Sequence, residues 1–111
     1  MDEREASERS RCLLRNVERT CELLIDSADR QWEPWLDAVH RELMAHDAHG
    51  LDRLLSGFGG MGSFNDLAIH PLNGHSVADQ EVGPVNDELD RLRSVMYEDA
   101  RTLLHYTNRA R

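Results

Sequence analysis

The apolar positions of the chain fall into helical stripes on either side of one irregular stretch. From about Ala6 to Ile25 they are Leu13, Leu14, Val17, Cys21, Leu24 and Ile25, at the three- and four-residue steps of one helix face. Arg11, Arg15, Glu18, Arg19 and Glu22 occupy the other side, and Asp26 and Ser27 follow as residues of capping type. A second stripe, Trp32, Leu36, Val39 and Leu43, predicts a helix from about Trp32 to Ala48, with Trp35 beside the stripe. Pro34 is tolerated only in a first turn, which puts the start near Glu33. Gly50 has the character of a residue just past a helix end. Leu51, Leu54 and Leu55 then predict one or two more turns, stopped at Gly57. A last helix is predicted from about Asp87 to Asn108, with Asn86 as its N-cap and Asp87, Glu88 and Asp90 in its first turn. Its stripe is Leu89, Leu92, Val95, Met96, Leu103 and Tyr106, and Arg109 and Arg111 suit its C-terminal end.

Residues 57–86 hold six of the seven glycines and two of the three prolines, so this is the expected irregular segment. Two conformations are open for it. Ser63 and Asp66 have the spacing of a capping box, which gives a short helical turn at 64–67. Alternatively, a strand over 67–70 turns at Asn73-Gly74 and returns through Val77 as a short hairpin, although Pro71 weakens its first arm. Helices that cannot bury their stripes alone pack together. The expectation is therefore all-α: a single domain over 1–111, built as a small antiparallel three- to four-helix bundle, with the Gly-rich segment covering one end.

Charge narrows the function. The net charge is −8, and every basic residue is Arg. Residues 32–86 carry eight acids against only Arg41 and Arg53. Such a surface repels phosphate backbones, so nucleic acid is an unsuitable partner. It attracts a basic protein. Cys12 and Cys21 lie nine residues apart in one predicted helix, on opposite faces and about 13 Å apart along its axis. A disulfide needs Cα atoms within about 7 Å, so both are expected as free thiols, with Cys21 on the buried side. The charged N-terminus lacks the apolar core of a signal peptide, and no apolar run approaches the length of a membrane span. The expected location is the cytoplasm.

The run LDRLLSGFGGMGSFNDLAIH, then NGH and NDELDRLRSVMYEDARTLL, resembles an uncharacterised family of small bacterial proteins. Its mark is a Gly-Gly-Met-Gly-Ser-Phe-Asn-Asp-Leu signature, which here is Gly59 to Leu67 without a departure. The resemblance covers roughly Trp32 to Leu104. It brings no established activity and no catalytic residues, and it singles out the loop.

Three chemistries bear on that loop and its surroundings. A phosphate cradle needs a preceding strand and a GK[ST] ending, and both are missing. A structural loop uses Gly59, Gly60 and Gly62 for the bend and Met61 and Phe64 to plug the core. Ser63, Asn65 and Asp66 then bond the loop's own backbone. A metal would draw on His46, His49, His70 and His75 with Asp66, but no tight ligand motif is present. No cofactor-binding motif is present either. The composition fits a non-catalytic acidic protein-binding module, most concretely a bacterial immunity protein that neutralises a basic toxin. Its expected interface is Glu33, Trp35, Asp37, Glu42, Asp47, Asp66 and Asp79, with Trp35 as an exposed anchor. The alternative is a small metal-dependent enzyme or regulator using the histidines around the loop.

Overall fold

The computed structural model describes residues 1–109; Arg111 lies outside them. Four α-helices follow one another: α1 (Glu3–Asp26), α2 (Glu33–Met44), α3 (His49–Ser56) and α4 (Val82–Arg109). Three short 3-10 turns, Phe64–Asp66, Pro71–Asn73 and Asp79–Glu81, punctuate the segment before α4. Each helix packs on its neighbours in sequence, and α4 closes the ring against α1. Cross-links fix the directions. Arg9 pairs with Asp99 and Arg19 with Glu88, so α1 and α4 are antiparallel. Glu18 meets His40 while Cys21 lies near Glu33, and Gly50 meets Leu43 while Gly57 meets Trp35, so α2 runs against both α1 and α3. The expected antiparallel all-helical bundle is what forms.

The core is most of the predicted stripes brought together; Ile25 is instead 60% exposed, and Cys21, Trp32, Leu43 and Tyr106 are only partly buried. Leu13, Val17 and Leu24 of α1, Leu36 and Val39 of α2, Leu54 of α3, and Leu89, Leu92 and Met96 of α4 are buried together with Phe64 and Ile69 from the irregular segment. α1 starts earlier than its apolar stripe because Asp2 caps it, accepting from the Glu5 N–H at 2.8 Å.

The helix ends depart from expectation in a consistent way. α1 and α2 both stop at a left-handed residue that is not glycine: Ala28 (φ 57°) and His46 (φ 56°). After Ala28, the Asp29 N–H reaches back to Leu24 O (2.9 Å) and the Ala28 N–H to Ile25 O (3.0 Å). After His46, the Asp47 N–H reaches Glu42 O (2.9 Å) and the His46 N–H reaches Leu43 O (3.1 Å). These paired back-bonds satisfy the last carbonyls of each helix. α2 therefore ends at Met44, short of the predicted Ala48. Gly50, read from sequence as the stop, is instead a buried residue of α3 packed on Leu43.

α4 begins five residues before the predicted Asp87. Pro84 falls in its first turn, where it is tolerated, and Asn86 lies inside the helix rather than capping it. The hairpin does not form: no strand occurs among the described residues. Residues 67–70 do run extended, but the Ile69 peptide is taken by the Asn86 side chain, not by a second strand.

Candidate functional site

The Gly-rich bend is held from three sides. Gly57 caps α3, and the Trp35 ring lies directly over it: a methyl group there would fall 2.5 Å from the indole. Two residues of the bend, Gly60 (φ 73°) and Gly62 (φ 76°), are left-handed, which explains why glycines cluster here. The chain then turns inward at Phe64, whose N–H donates to Gly57 O at 2.8 Å. The Phe64 ring is fully buried, with its centroid 5.0 Å from Trp35, 5.7 Å from Trp32 and 5.8 Å from Phe58. Offset and edge-on aromatic contacts of this kind add to the burial of apolar area.

α4 supplies the clamps from behind. Arg93 is buried; its Nη1 donates to Phe64 O and to Leu67 O, both at 2.8 Å, and its Nη2 pairs with Asp90. The guanidinium also lies 5.8 Å from the Phe64 ring centroid. One face up the helix, Asn86 Oδ1 accepts from the Ile69 N–H (2.8 Å) while its amide donates to Ile69 O (2.8 Å) and Val82 O (2.7 Å). Sequence reasoning missed both roles. The signal was there: Asn86 and Arg93 are seven residues apart, two helical turns on one face.

The α1–α2 corner makes a third clamp. Asp29 is nearly buried. Its Oδ2 accepts from the Trp32 N–H (2.7 Å) and the Glu33 N–H (3.1 Å), capping α2 in place of Trp32. Its Oδ1 meets His75 Nε2 at 2.9 Å, with side-chain exposures of 3% and 5%. His75 Nδ1 accepts from the His70 N–H at 3.2 Å, so the ring proton sits on Nε2 and points at the carboxylate. A backbone bond from the Ser76 N–H to Ser27 O (2.8 Å) seals the same seam. Asp29 carried no signal in the sequence beyond its place three residues ahead of Trp32.

Two clefts flank the bend. An open cleft of about 510 Å³ lies between it and the turn at Pro71–Asn73, lined by Asp29, Trp32, Ser63, Asp66, Gly74 and His75 among others. A second, of about 420 Å³, lies on the α4 side against Phe58, Asn65, Arg93 and Tyr97.

Several expected site residues take different positions. Met61 does not plug the core; it is 99% exposed at the tip of the bend, and Phe64 plugs alone. The capping box is displaced: Asp66 Oδ2 accepts from the Gly62 N–H at 2.9 Å, and the buried Ser63 hydroxyl has no partner. Asn65 is exposed beside the second cleft instead of bonding the loop. Trp35 is half-buried against Phe64 and Gly57 and is no exposed anchor.

The expected acidic band divides into three places. Glu33 and Asp37 lie one turn apart on α2, with Asp37 3.3 Å from Arg41. Together with Glu18 and Glu22 of α1 they surround Cys21, whose thiol is pushed up to about 11, first by burial and then by these four carboxylates. Glu42, paired with Arg53, and Asp47, which accepts from the His49 N–H at 3.0 Å, sit at the α2–α3 corner. Asp66 and Asp79 belong to the loop end. The histidines do not converge either: His46 and His49 are at the α2–α3 corner, His70 and His75 in the loop. Among the described residues no three His, Cys, Asp or Glu side chains are grouped to hold a metal ion. Cys12 and Cys21 are both free thiols. No described helix is long and apolar enough to cross a membrane.

A family model described as a domain of unknown function (DUF6966) matches residues 26–78. That span runs from the end of α1 through α2, α3 and the bend, and it contains both Asp29 and His75. No curated protein and no solved structure matches the chain.

Proposed function

We propose that this chain is a non-catalytic acidic protein-binding module, most concretely a bacterial immunity protein that captures a cognate basic toxin. One observation carries the reading: the fold groups four carboxylates, Glu33 and Asp37 of α2 with Glu18 and Glu22 of α1, around Cys21, although Asp37 also meets Arg41, Glu18 meets His40 and Glu22 meets Arg19. A surface of one sign steers a partner of the other sign and holds its register. The polar groups that chemistry would call on are otherwise engaged. His75 is shared between Asp29 and a backbone N–H, Arg93 bonds two carbonyls, and Asn86 bonds the Ile69 peptide. A catalytic acid–base group needs a free proton-transfer position toward substrate.

The test is capture by the immobilised full chain from a lysate of its source, in parallel with Glu33→Arg/Asp37→Arg. Asp47 is left intact, because its side chain starts α3. The expected result is a basic protein retained by the native chain and lost on the double reversal, with unchanged helical content. Retention that ignores the reversal contradicts the acidic-surface mechanism.

A further inference from the structure

Residues 70–75 form a closed loop, and one imidazole ring ties its neck. The His75 N–H donates to His70 O at 3.2 Å, and the His70 N–H donates back to His75 Nδ1, also at 3.2 Å. The same ring donates from Nε2 to Asp29 Oδ1, and only 5% of the side chain is exposed. Inside the loop, the Leu72 N–H donates to His70 Nδ1 at 3.0 Å. Each imidazole therefore accepts from a backbone N–H, and a ring nitrogen that accepts carries no proton. Both rings are neutral in this arrangement.

A proton acts on the two rings in the same sense. Imidazolium has N–H groups at both positions and accepts no hydrogen bond. Taken up from water at His75 Nδ1, a proton meets the His70 N–H, donor against donor. Taken up at His70 Nδ1, it meets the Leu72 N–H. The other side of the His75 ring responds in the opposite way: its bond to Asp29 becomes charge-assisted. Asp29 is itself fixed by the Trp32 and Glu33 N–H groups at the start of α2, so the charged ring keeps an anchored partner. The remaining charged groups lining this cleft are Arg30 from the α1–α2 corner and Asp66 from the bend. Both are exposed, and Asp66 already accepts from the Gly62 N–H. Past the ring, the Ser76 N–H stays on Ser27 O, which confines the change to residues 70–74.

We propose that His75 is a pH-operated latch. Neutral, it joins Asp29 to the His70 peptide and closes the loop. Protonated, it stays on Asp29 and lets the His70 peptide go, which loosens the Asn73–Gly74 wall of the larger cleft. Histidine is the side chain suited to such a response near neutral pH.

The test is amide exchange of the full chain, followed by NMR from about pH 7.5 to about pH 5 and divided by the intrinsic rate at each pH. Nitrogen shifts of the His75 ring over the same range report where its protons sit. The expected result is an Nε2–H tautomer at the upper end and a doubly protonated ring at the lower end. Protection of the His70 amide falls at least tenfold with the same midpoint, while Val17 and Leu24 in the core stay protected. His75→Gln offers an acceptor and a donor without titrating, so protection at His70 is expected to hold constant. His70→Asn keeps an acceptor for the Leu72 N–H and is expected to leave the response at position 70 intact. Thermal melts establish that each variant folds; where one does not, the two midpoints in the native chain decide. An equal fall in His75→Gln overturns the proposal, as does loss of the response in His70→Asn. So does a native His75 ring that stays neutral, one that gains its proton while the His70 amide remains protected, or a loss of protection shared by Val17 and Leu24.

Discussion

Gly57 shows how one missing side chain organises the loop end. Its Hα faces the Trp35 indole, so Gly57→Ala forces the ring or the α3 terminus to move. Strain of that kind costs about 1–3 kcal/mol, and chemical denaturation of the variant is expected to show a loss in this range. The sequence presented Gly57 as a helix stop, which it is, but gave no sign of the ring above it. Trp35 was misplaced for the same reason: its contacts with Phe64 and Gly57 join residues far apart in the chain, and periodicity reports only which helix face a residue occupies. Cys21 was legible in part: its place on the stripe implied burial, and it is half-buried against the core. Its raised pKa has a consequence for stability. The folded chain holds the thiol proton more tightly than the unfolded chain, so this contribution is complete below about 9 and is lost as pH rises through about 11. Cys21→Ala is expected to flatten the fall in melting temperature across that window. An equally steep fall in the variant places the alkaline sensitivity elsewhere.

Among the elements, the helices were readable and their ends were not. Leu13, Val17, Leu36, Val39, Leu89, Leu92 and Met96 sit in the core as the 3.6-residue period required. The ends failed where tertiary contacts replaced local signals: Ala28 and His46 take left-handed conformations usually left to glycine, and Asn86 sits inside α4, binding the Ile69 peptide as well as Val82 O, instead of capping the helix. The hairpin failed because side chains of α4, not a second strand, satisfied the extended backbone. The loop is thus an attachment of α4. Arg93→Met keeps an unbranched apolar stem and removes the donors to Phe64 O and Leu67 O. Phe64 O keeps the Leu67 N–H at 3.2 Å, so the variant leaves Leu67 O without its donor, at a cost of about 1–3 kcal/mol. Amide exchange at residues 64–69 is expected to accelerate well beyond that of the α1 core. Uniform acceleration across all helices would assign Arg93 to the global core instead.

At the scale of the molecule, an elongated bundle of 47 × 23 × 21 Å carries a net charge of −8 and an unevenly distributed set of acids. The acidic character was plain in the sequence. Its division among the Cys21 surround, the α2–α3 corner and the loop end was not, because α2 and α3 fold back and separate neighbours in the chain. The position of Met61 was equally hidden: it reads as a core plug and stands 99% exposed. The central claim is that this acidity captures a cationic protein. The association rate constant with the partner recovered by the native chain, followed from about 50 to 500 mM salt, tests it most directly. The account predicts a fall of at least tenfold with a nearly constant dissociation rate, and a much shallower slope for Glu33→Arg/Asp37→Arg. A rate that is flat in salt for the native chain contradicts it.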